Sequence, residues 1–357
     1  MTKKNALAGL SGIVGLLALY LFFWPVPVDP AAWSPPVAPK LEGVFAPNSQ
    51  LSAVERLGGG VCLAPEDMAF DAQRRIYTGC QDGRIVRMSP SGGRPEVFVD
   101  TNGRPLGLAF DALGNLLVAD AYKGLLSVNP AGAVTVLSTQ AGGVPFKLTD
   151  GMDIASDGQV YFSDASSKFS LDRYRLDLLE HRPNGRLLVY DPRTKETRTI
   201  LSGLYFANGV AIGPNGAFVL VVETGKYRVR RLWLKGPKQG TSEVFVENLP
   251  GLPDGISSNG RGTFWLALAT PRDRKLDQML PRPFLRKVIV RLPRAFLPGP
   301  KDYGFVLGLD TAGLVVQNLQ DPSGGYAQVT SVREYQGMLY LGSLSEDATG
   351  RLAAPSY

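Results

Sequence analysis

One short sequence pattern recurs six times along this 357-residue chain, and the recurrence constrains the fold more than any other feature. Each copy has a polar loop, a short alternating strand, an Asp/Asn/Gly turn and a second strand rich in β-branched and aromatic residues. The copies are Glu66–Cys80, Leu106–Asp120, Asp150–Asp164, Asn208–Glu223, Asp254–Leu268 and Val329–Leu344.

The spacing of these copies predicts an all-β fold, a six-bladed β-propeller. Most copies precede another strand pair, so each unit holds roughly four strands at a period of about 40–60 residues. A closed ring of blades leaves no strand edge unpaired. A β-sandwich is the alternative, but it does not require six self-similar units. Four residues at the hairpin-turn position of their copies are assigned to turns: Asp71, Asp111, Asp157 and Asn215.

The N-terminus, residues 1–24, is predicted to be a membrane anchor. Its apolar run, Ala6–Trp24, is 19 residues long, close to the roughly 20 that a transmembrane helix requires. Lys3 and Lys4 place the N-terminus in the cytoplasm and the rest of the chain on the periplasmic or extracytoplasmic side. A cleaved signal peptide is the alternative. The Pro-rich residues 25–40 are predicted to be an extended linker, and residues 41–357 the propeller.

Two insertions depart from the repeat. Lys168–Arg182 has apolar residues at helical spacing and is predicted to form a short surface helix. Pro271–Pro300 mixes basic and large apolar residues, which favours a loop and helix packed over one blade; a lid or a second membrane contact is the alternative. Glu223 is expected to pair with Arg228 or Arg231 in a structural ion pair.

Composition narrows the possible chemistry. His181 is the only histidine, which excludes catalysis by a histidine pair or a histidine-metal cluster. Cys62 and Cys80 are the only cysteines, which excludes a four-cysteine zinc site; buried thiols and a disulfide both stay possible. The net charge of +6 is concentrated in Arg272–Arg294 and near the N-terminus. This distribution argues against nucleic-acid binding and favours contact with anionic lipid.

Polar residues stand at the start of the innermost strand in four copies. In a propeller these starts meet at one mouth of the central channel. Carboxylate and amide oxygens around a ring suit calcium, which takes six to eight oxygen ligands, whereas zinc would need His or Cys ligands. Taken singly, each residue also suits a turn; their common position favours a calcium site. The candidate ligands are Glu66, Asp67, Thr149, Asp150, Asn208 and Asp254.

Several motifs in this order resemble the strictosidine-synthase-like family of six-bladed propellers, close to its membrane-associated members. The chain is more distantly similar to paraoxonases, gluconolactonases and diisopropylfluorophosphatase. The resemblance covers essentially residues 41–357. The motifs that carry it are Ala64–Asp71, Lys147–Phe169, Glu180–Pro192, Phe206–Gly216, Asn248–Ile256, Leu319–Tyr326 and Val329–Leu344.

The resemblance implies a calcium-dependent hydrolase of small-molecule esters or lactones, in which the ion stabilises an oxyanion. Glu66, Asn208 and Asp254 fall on the catalytic calcium positions. Asp67 and Asp150 fall on positions that hold a second, structural calcium in paraoxonases.

Three residues depart from the hydrolase pattern. Thr149 stands where the hydrolases usually carry an Asn ligand, and Gly255 replaces a second amide. Leu106 stands where paraoxonases carry a proposed catalytic histidine. These departures keep two other functions open. One is a propeller that binds a partner without chemistry. The other is a metal-free condensing enzyme similar to strictosidine synthase, which requires a glutamate base that no motif locates.

Overall fold

Six four-stranded antiparallel sheets surround a central channel in the computed structural model, which describes residues 3–293 and 299–355. The predicted six-bladed propeller is therefore confirmed. Each copy of the repeat supplies the two inner strands of one blade. The alternating apolar residues of these strands face the neighbouring blades.

Blades one to five each use four strands that are consecutive along the chain, taken here from the channel outwards. They are β2–β5 (Met68–Phe70, Ile76–Gly79, Arg84–Met88, Glu96–Asp100), β6–β9 (Pro105–Phe110, Leu116–Asp120, Gly124–Val128, Val134–Ser138), β12–β15 (Thr149–Ile154, Val160–Asp164, Gly185–Asp191, Glu196–Leu204), β16–β19 (Ala207–Ile212, Phe218–Glu223, Arg228–Trp233, Ser242–Val246) and β20–β23 (Gly251–Ser258, Phe264–Pro271, Gly304–Leu309, Val315–Asp321). A small hairpin, β10 and β11 (Gln140–Ala141, Val144–Pro145), lies between blades two and three.

Blade six joins the two ends of the propeller. Its inner strands are β24, β25 and β26 (Val329–Tyr335, Met338–Ser343, Thr349–Ala353), and its outermost strand is β1 (Glu55–Leu57), from the start of the body. Glu55 lies opposite Arg351 and forms an ion pair with it at 2.6 Å. This pairing joins the start of the propeller to its last blade and closes the ring.

The hydrophobic core lies between neighbouring blades. Leu220 and Val222 of blade four pack with Leu266 and Leu268 of blade five, for example, in one buried cluster. The predicted turn residues have the predicted role: the Asp71 side chain accepts a hydrogen bond from the Arg75 backbone N–H at 2.8 Å, and Asn215 has a left-handed φ of 57°.

The insertions carry helices on one face of the ring. Helix α2 (Tyr174–Glu180) follows a short 3-10 turn and confirms the helix expected within Lys168–Arg182. Helices α3 (Arg274–Met279) and α4 (Pro283–Val290) confirm helical structure in the second insertion. The final part of that segment, residues 294–298, lies outside the described residues.

Residues 25–40 form no helix or strand and lie along these insertions as an extended strap. The Ala31 N–H donates to Glu180 O at 2.9 Å, and Arg272 Nη2 donates to Pro36 O at 2.8 Å. The Trp33 ring stacks on His181, with ring centroids 4.3 Å apart. The linker is thus tied to the propeller along its length.

Helix α1 (Lys3–Phe23) precedes the strap and contacts α4. Phe22 stacks on Phe284 with ring centroids 5.7 Å apart, and Arg291 donates to the Leu21 carbonyl at 2.9 Å.

Among the residues that the structure describes, no helix is both long and apolar enough to cross a bilayer.

Two local predictions are resolved by the structure. Cys62 and Cys80 are joined in a disulfide, which ties the loop before blade one to that blade. Glu223 pairs with Arg228 at 2.5 Å, and not with Arg231.

Candidate functional site at the channel mouth

In each of blades one to five, one residue in the innermost strand or just before it faces the same end of the channel. We call the space that these residues line the mouth; it is a funnel of about 340 Å³. Blades one to five contribute, in order, Glu66, Leu106, Asp150, Asn208 and Asp254.

A shared irregularity aims these side chains. In β6, β12, β16 and β20 the pairing with the next strand shifts register at this point, for example between Thr149 and Met152 and between Ala207 and Val210. A bulge of this kind twists a strand and re-aims a side chain. The same position in the repeat therefore becomes the same position in space.

Three glycines follow the polar residues and pack backbone against backbone around the channel axis. A Cβ on Gly151 would lie 2.6 Å from Gly209 Cα, and a Cβ on Gly209 would lie 2.7 Å from Asp254 O and Gly255 Cα. The Asp-Gly and Asn-Gly pairs thus lie inside strands, so the turn interpretation of these dipeptides is wrong. Glycine is required here because adjacent strands approach too closely for a side chain.

Glu66 is held by a cation from the next blade. Arg104 Nη2 donates to Glu66 Oε2 at 2.7 Å and to Ala64 O at 2.9 Å. Burial raises the pKa of Glu66, and the Arg104 guanidinium opposes that rise. The Glu66 carbonyl accepts hydrogen bonds from Thr330 and Ser331 at 2.8 and 2.7 Å, which fixes blade one against blade six.

Asp150 and Asp254 have no cation of their own. Desolvation by burial raises the pKa of each well above its ordinary value, and the Glu66 carboxylate raises both further. Asp150 also raises the pKa of Asp254, while a hydrogen bond from Asn208 lowers it. The mouth therefore brings three acidic side chains together, and the cationic residues of its described lining are Arg104 and Arg175.

Thr224 positions the Asn208 amide. Asn208 Nδ2 lies 3.4 Å from Thr224 Oγ1, which in turn donates to Pro253 O at 2.7 Å. Sequence reasoning missed both Thr224 and Arg104 because neither belongs to the repeated position. The available signal for Arg104 was its place in the sequence: it is a basic residue two positions before Leu106, the blade-two residue at the repeated position.

The structure separates two predicted ligands from the others. Thr149 does not line the mouth or the channel; it is fully buried, and its hydroxyl has no hydrogen-bond partner among the described residues. Asp67 lines the channel below the mouth, where it pairs with Arg333 at 2.8 Å. The mouth thus brings together Glu66, Asp150, Asn208 and Asp254.

The chemistry of this donor set suits calcium, because calcium is bound by oxygen ligands and the set offers three carboxyl groups and one amide. Among the residues that the structure describes, however, no three His, Cys, Asp or Glu side chains are close enough together to hold a metal ion. Glu66 is turned toward Arg104. Metal binding at the mouth would therefore require side chains to turn, with Glu66 exchanging Arg104 for the ion.

A second cavity, of about 120 Å³, opens beside Asn208 and Asp254. Its walls are largely apolar and come from the insertion helices and the inner strands, including Leu178, Leu252 and Leu276. An apolar cavity with a few converging polar groups is the usual form of a site for a small organic molecule.

His181 lies outside the mouth, as expected of a structural residue. It is buried against Trp33, and burial lowers its pKa to about 3, assisted by the charges of Lys226 and Arg286. Its imidazole is thus neutral at physiological pH.

The fold and the site define a class: a six-bladed propeller with an acidic mouth at one end of its channel. A family model for strictosidine synthase matches residues 150–237, and one for the N-terminal part of strictosidine synthase-like proteins matches residues 43–88.

Relatives match over most of the chain. It is 37% identical to adipocyte plasma membrane-associated protein of Bos taurus, covering 94% of this chain and 87% of that protein. It is 38% identical to protein strictosidine synthase-like 7 of Arabidopsis thaliana, covering 86% and 83%. The chain belongs to the strictosidine synthase-like family.

Solved structures share the fold at low sequence identity. A gluconolactonase from Xanthomonas campestris superposes with a TM-score of 0.63 at 17% identity, covering 93% of this chain and 99% of that one. The calcium-binding protein regucalcin from Agrobacterium tumefaciens gives 0.59 at 15% identity, covering 82% and 90%. At these identities the likeness concerns the fold alone.

Proposed function

We propose that this chain is a calcium-dependent hydrolase of small-molecule esters or lactones. The observation that carries the proposal is the convergence of Glu66, Asp150, Asn208 and Asp254 on one channel mouth, beside an apolar cavity. Propellers named as a gluconolactonase and as a calcium-binding protein share the fold, which is consistent with the proposal.

These four residues would hold the ion. When bound, calcium supplies a Lewis acid that polarises the substrate carbonyl and stabilises its oxyanion. Asn208 contributes its amide oxygen as a neutral ligand, and Thr224 fixes its orientation. A neutral ligand limits the charge repulsion among the three carboxylates.

A carboxylate of the mouth is also the base that we propose for the attacking water. Asp254 faces both the mouth and the apolar cavity, so it lies where an ester group and a water would meet. A carboxylate oxygen of Asp254 that is not bound to the ion could accept the proton of the attacking water. The apolar cavity would hold the organic part of the substrate.

The test is hydrolysis of a panel of aryl esters and lactones by the full chain. We expect activity that a chelator abolishes and added calcium restores, and that Asn208→Ala combined with Asp254→Ala also abolishes. The matched control is Asp157→Asn in the hairpin turn of blade three, where the carboxylate only caps the Gln159 N–H at 3.1 Å. Activity that survives both the chelator and the double substitution would refute the proposal. No turnover at all would favour a non-catalytic binding propeller.

We further propose that α1 attaches the propeller to a membrane, with the N-terminus in the cytoplasm. Apolar side chains of α1 such as Leu16 and Leu17 are exposed, and the bovine relative is named as plasma membrane-associated. Leu16→Arg with Leu17→Arg should move the full chain from the membrane to the soluble fraction, because a charged side chain in place of an exposed apolar one opposes burial of α1 in lipid.

Leu63→Arg with Leu113→Arg, two exposed leucines of the propeller, is the control and should leave the chain at the membrane. Protease added to spheroplasts should digest the propeller. Protection of the propeller would contradict the proposed orientation.

One observation favours a second candidate, metal-free amine–aldehyde condensation. Glu66 lines the mouth with its pKa raised by burial, and so meets the requirement for a glutamate base in the channel. Condensation insensitive to chelator and lost in Glu66→Gln would support this candidate; absence of condensation across an amine and aldehyde panel would exclude it.

A further inference from the structure

Below the mouth, the channel contains a cluster of charges that the proposed hydrolase does not use. The deep cluster, as we call it, consists of Asp67 of blade one and Arg333 of blade six, which line the channel, and of Asp153 of blade three, whose carboxyl interacts electrostatically with both. Arg333 is the only cationic side chain among the described residues that line the channel.

Arg333 grips Asp67 with a two-pronged ion pair. Its Nε donates to Asp67 Oδ1 at 2.9 Å, and its Nη2 donates to Asp67 Oδ2 at 2.8 Å. The same Nη2 donates to the Leu108 carbonyl at 3.1 Å, and the Leu108 N–H donates to Asp67 Oδ2 at 3.1 Å. A single guanidinium thus connects blades six, one and two, and both Asp67 oxygens are occupied.

Asp153 completes the cluster. Its Oδ2 accepts the Ile212 N–H of blade four at 2.8 Å. Burial raises its pKa, and Arg333 is close enough to lower it. The deep cluster therefore holds two carboxylates that face one permanent cation.

A metal ion does not fit this arrangement. Calcium requires six to eight oxygens, whereas the Asp67 oxygens and the Leu108 carbonyl are already bound to Arg333. An added divalent ion would also lie beside the guanidinium charge of a largely buried ion pair, where like charges repel more strongly than in bulk water. The expectation that Asp67 holds a second, structural calcium is at odds with this geometry.

We propose that the Arg333 guanidinium takes the place of a second metal ion in the channel, so that Asp67 is an internal ion-pair partner and any metal binds at the mouth alone. An arginine fork suits this role because it satisfies a carboxylate with two parallel hydrogen bonds and cannot be deprotonated. Three blades are then joined without any requirement for calcium. The inference does not depend on the proposed hydrolase.

The test counts bound calcium by equilibrium dialysis and elemental analysis of the full chain. Arg333→Met removes the charge and leaves Asp67 and Asp153 without their shared cation, so we expect one more calcium per chain than in the wild type. The melting temperature of Arg333→Met in chelator should be lower than that of the wild type. Added calcium should raise the melting temperature of this variant by more than it raises that of the wild type. Arg333→Lys keeps a cation and should gain no ion.

Two further variants keep the test decisive. Arg351→Met is a matched control, because Arg351 pairs with Glu55 in the same blade and is 22% exposed, against 23% for Arg333; it should gain no ion. Asp67→Asn should leave the wild-type calcium count unchanged, which can be measured even if Arg333→Met fails to fold. Loss of one ion in Asp67→Asn, or no gain in a folded Arg333→Met, would overturn the proposal. All counts are differences from the wild type, so they hold even if the mouth binds no metal.

Discussion

Gly209→Ala tests whether the close approach of the inner strands builds the mouth. Gly209 follows Asn208 in β16, and its backbone faces the segment that carries Asp254 in β20. A Cβ at this position would lie 2.7 Å from both Asp254 O and Gly255 Cα, where ordinary contacts begin at 3.4 Å. Both neighbours are backbone atoms, so no side chain can turn aside to relieve the clash.

The magnitude follows from two opposing effects. Overpacking of a rigid site costs about 1–3 kcal/mol, and the backbone contacts place this case at the upper end. Replacing glycine also restricts the unfolded chain, which stabilises the fold by about 0.4–1 kcal/mol. We expect a net loss of about 2 kcal/mol in the free energy of unfolding, with a fall of about 4 °C in the melting temperature. Calcium affinity should fall as well, because the strands that carry Asn208 and Asp254 are pushed apart.

Urea unfolding and calcium titration of the full chain measure these effects. Gly59→Ala is the control, because its nearest contact, Ala348 Cβ, is 4.0 Å away and its φ is not positive; it should stay within about 0.5 kcal/mol of the wild type. If Gly209→Ala were as stable as Gly59→Ala and bound calcium equally well, the close-packed ring would not be what positions the ligands.

Three other substitutions address the charges and the disulfide. Burial raises the pKa of Asp254, so the stability that its protonated form contributes is present below the ordinary value of 3.8 and is lost as pH rises through the folded-state pKa. In chelator, Asp254→Asn should therefore lose less stability than the wild type as the pH is raised from below 3.8 to neutral, and equal slopes in urea unfolding would contradict this. Arg104→Met should lower the free energy of unfolding in chelator by about 3–5 kcal/mol, because it leaves Glu66 buried and unpaired. Added calcium should raise the melting temperature of this variant by more than it raises that of the wild type. An equal response to calcium would show that Glu66 is not a ligand. Cys62→Ser with Cys80→Ser opens a loop with a sequence separation of 18, which should cost about 3 kcal/mol in urea unfolding; an unchanged midpoint would mean that the disulfide does not stabilise the fold.

The sequence carried enough information for the fold, because a propeller is encoded locally. Each blade arises from alternation of apolar residues and from turn residues such as Asp71 and Asp157, all within about 20 residues of one another. Closure by β1 was not predicted, since Glu55–Leu57 is short and its partner Thr349–Ala353 lies at the other end of the chain. Pairing at that separation leaves no local pattern.

The candidate site was predictable only in part. Glu66, Asp150, Asn208 and Asp254 share one position in the repeat, and equal positions meet in a closed ring. The sequence did not show which of two adjacent residues faces the channel. Successive residues of a strand point to opposite sides, and the bulge changes that alternation. Thr149 and Asp67 were therefore grouped with the mouth residues, although the structure places Thr149 in the blade interior and Asp67 below the mouth.

The sequence by itself determined the repeat, the ring of blades and the common position of the oxygen donors, because these follow from patterns within single blades. The tertiary structure alone decided which charges meet. Arg104 reaches Glu66 from the next blade, and Arg333 reaches Asp67 across 266 residues of sequence. Charge pairing of this kind depends on distance in space, and only the closed ring sets that distance.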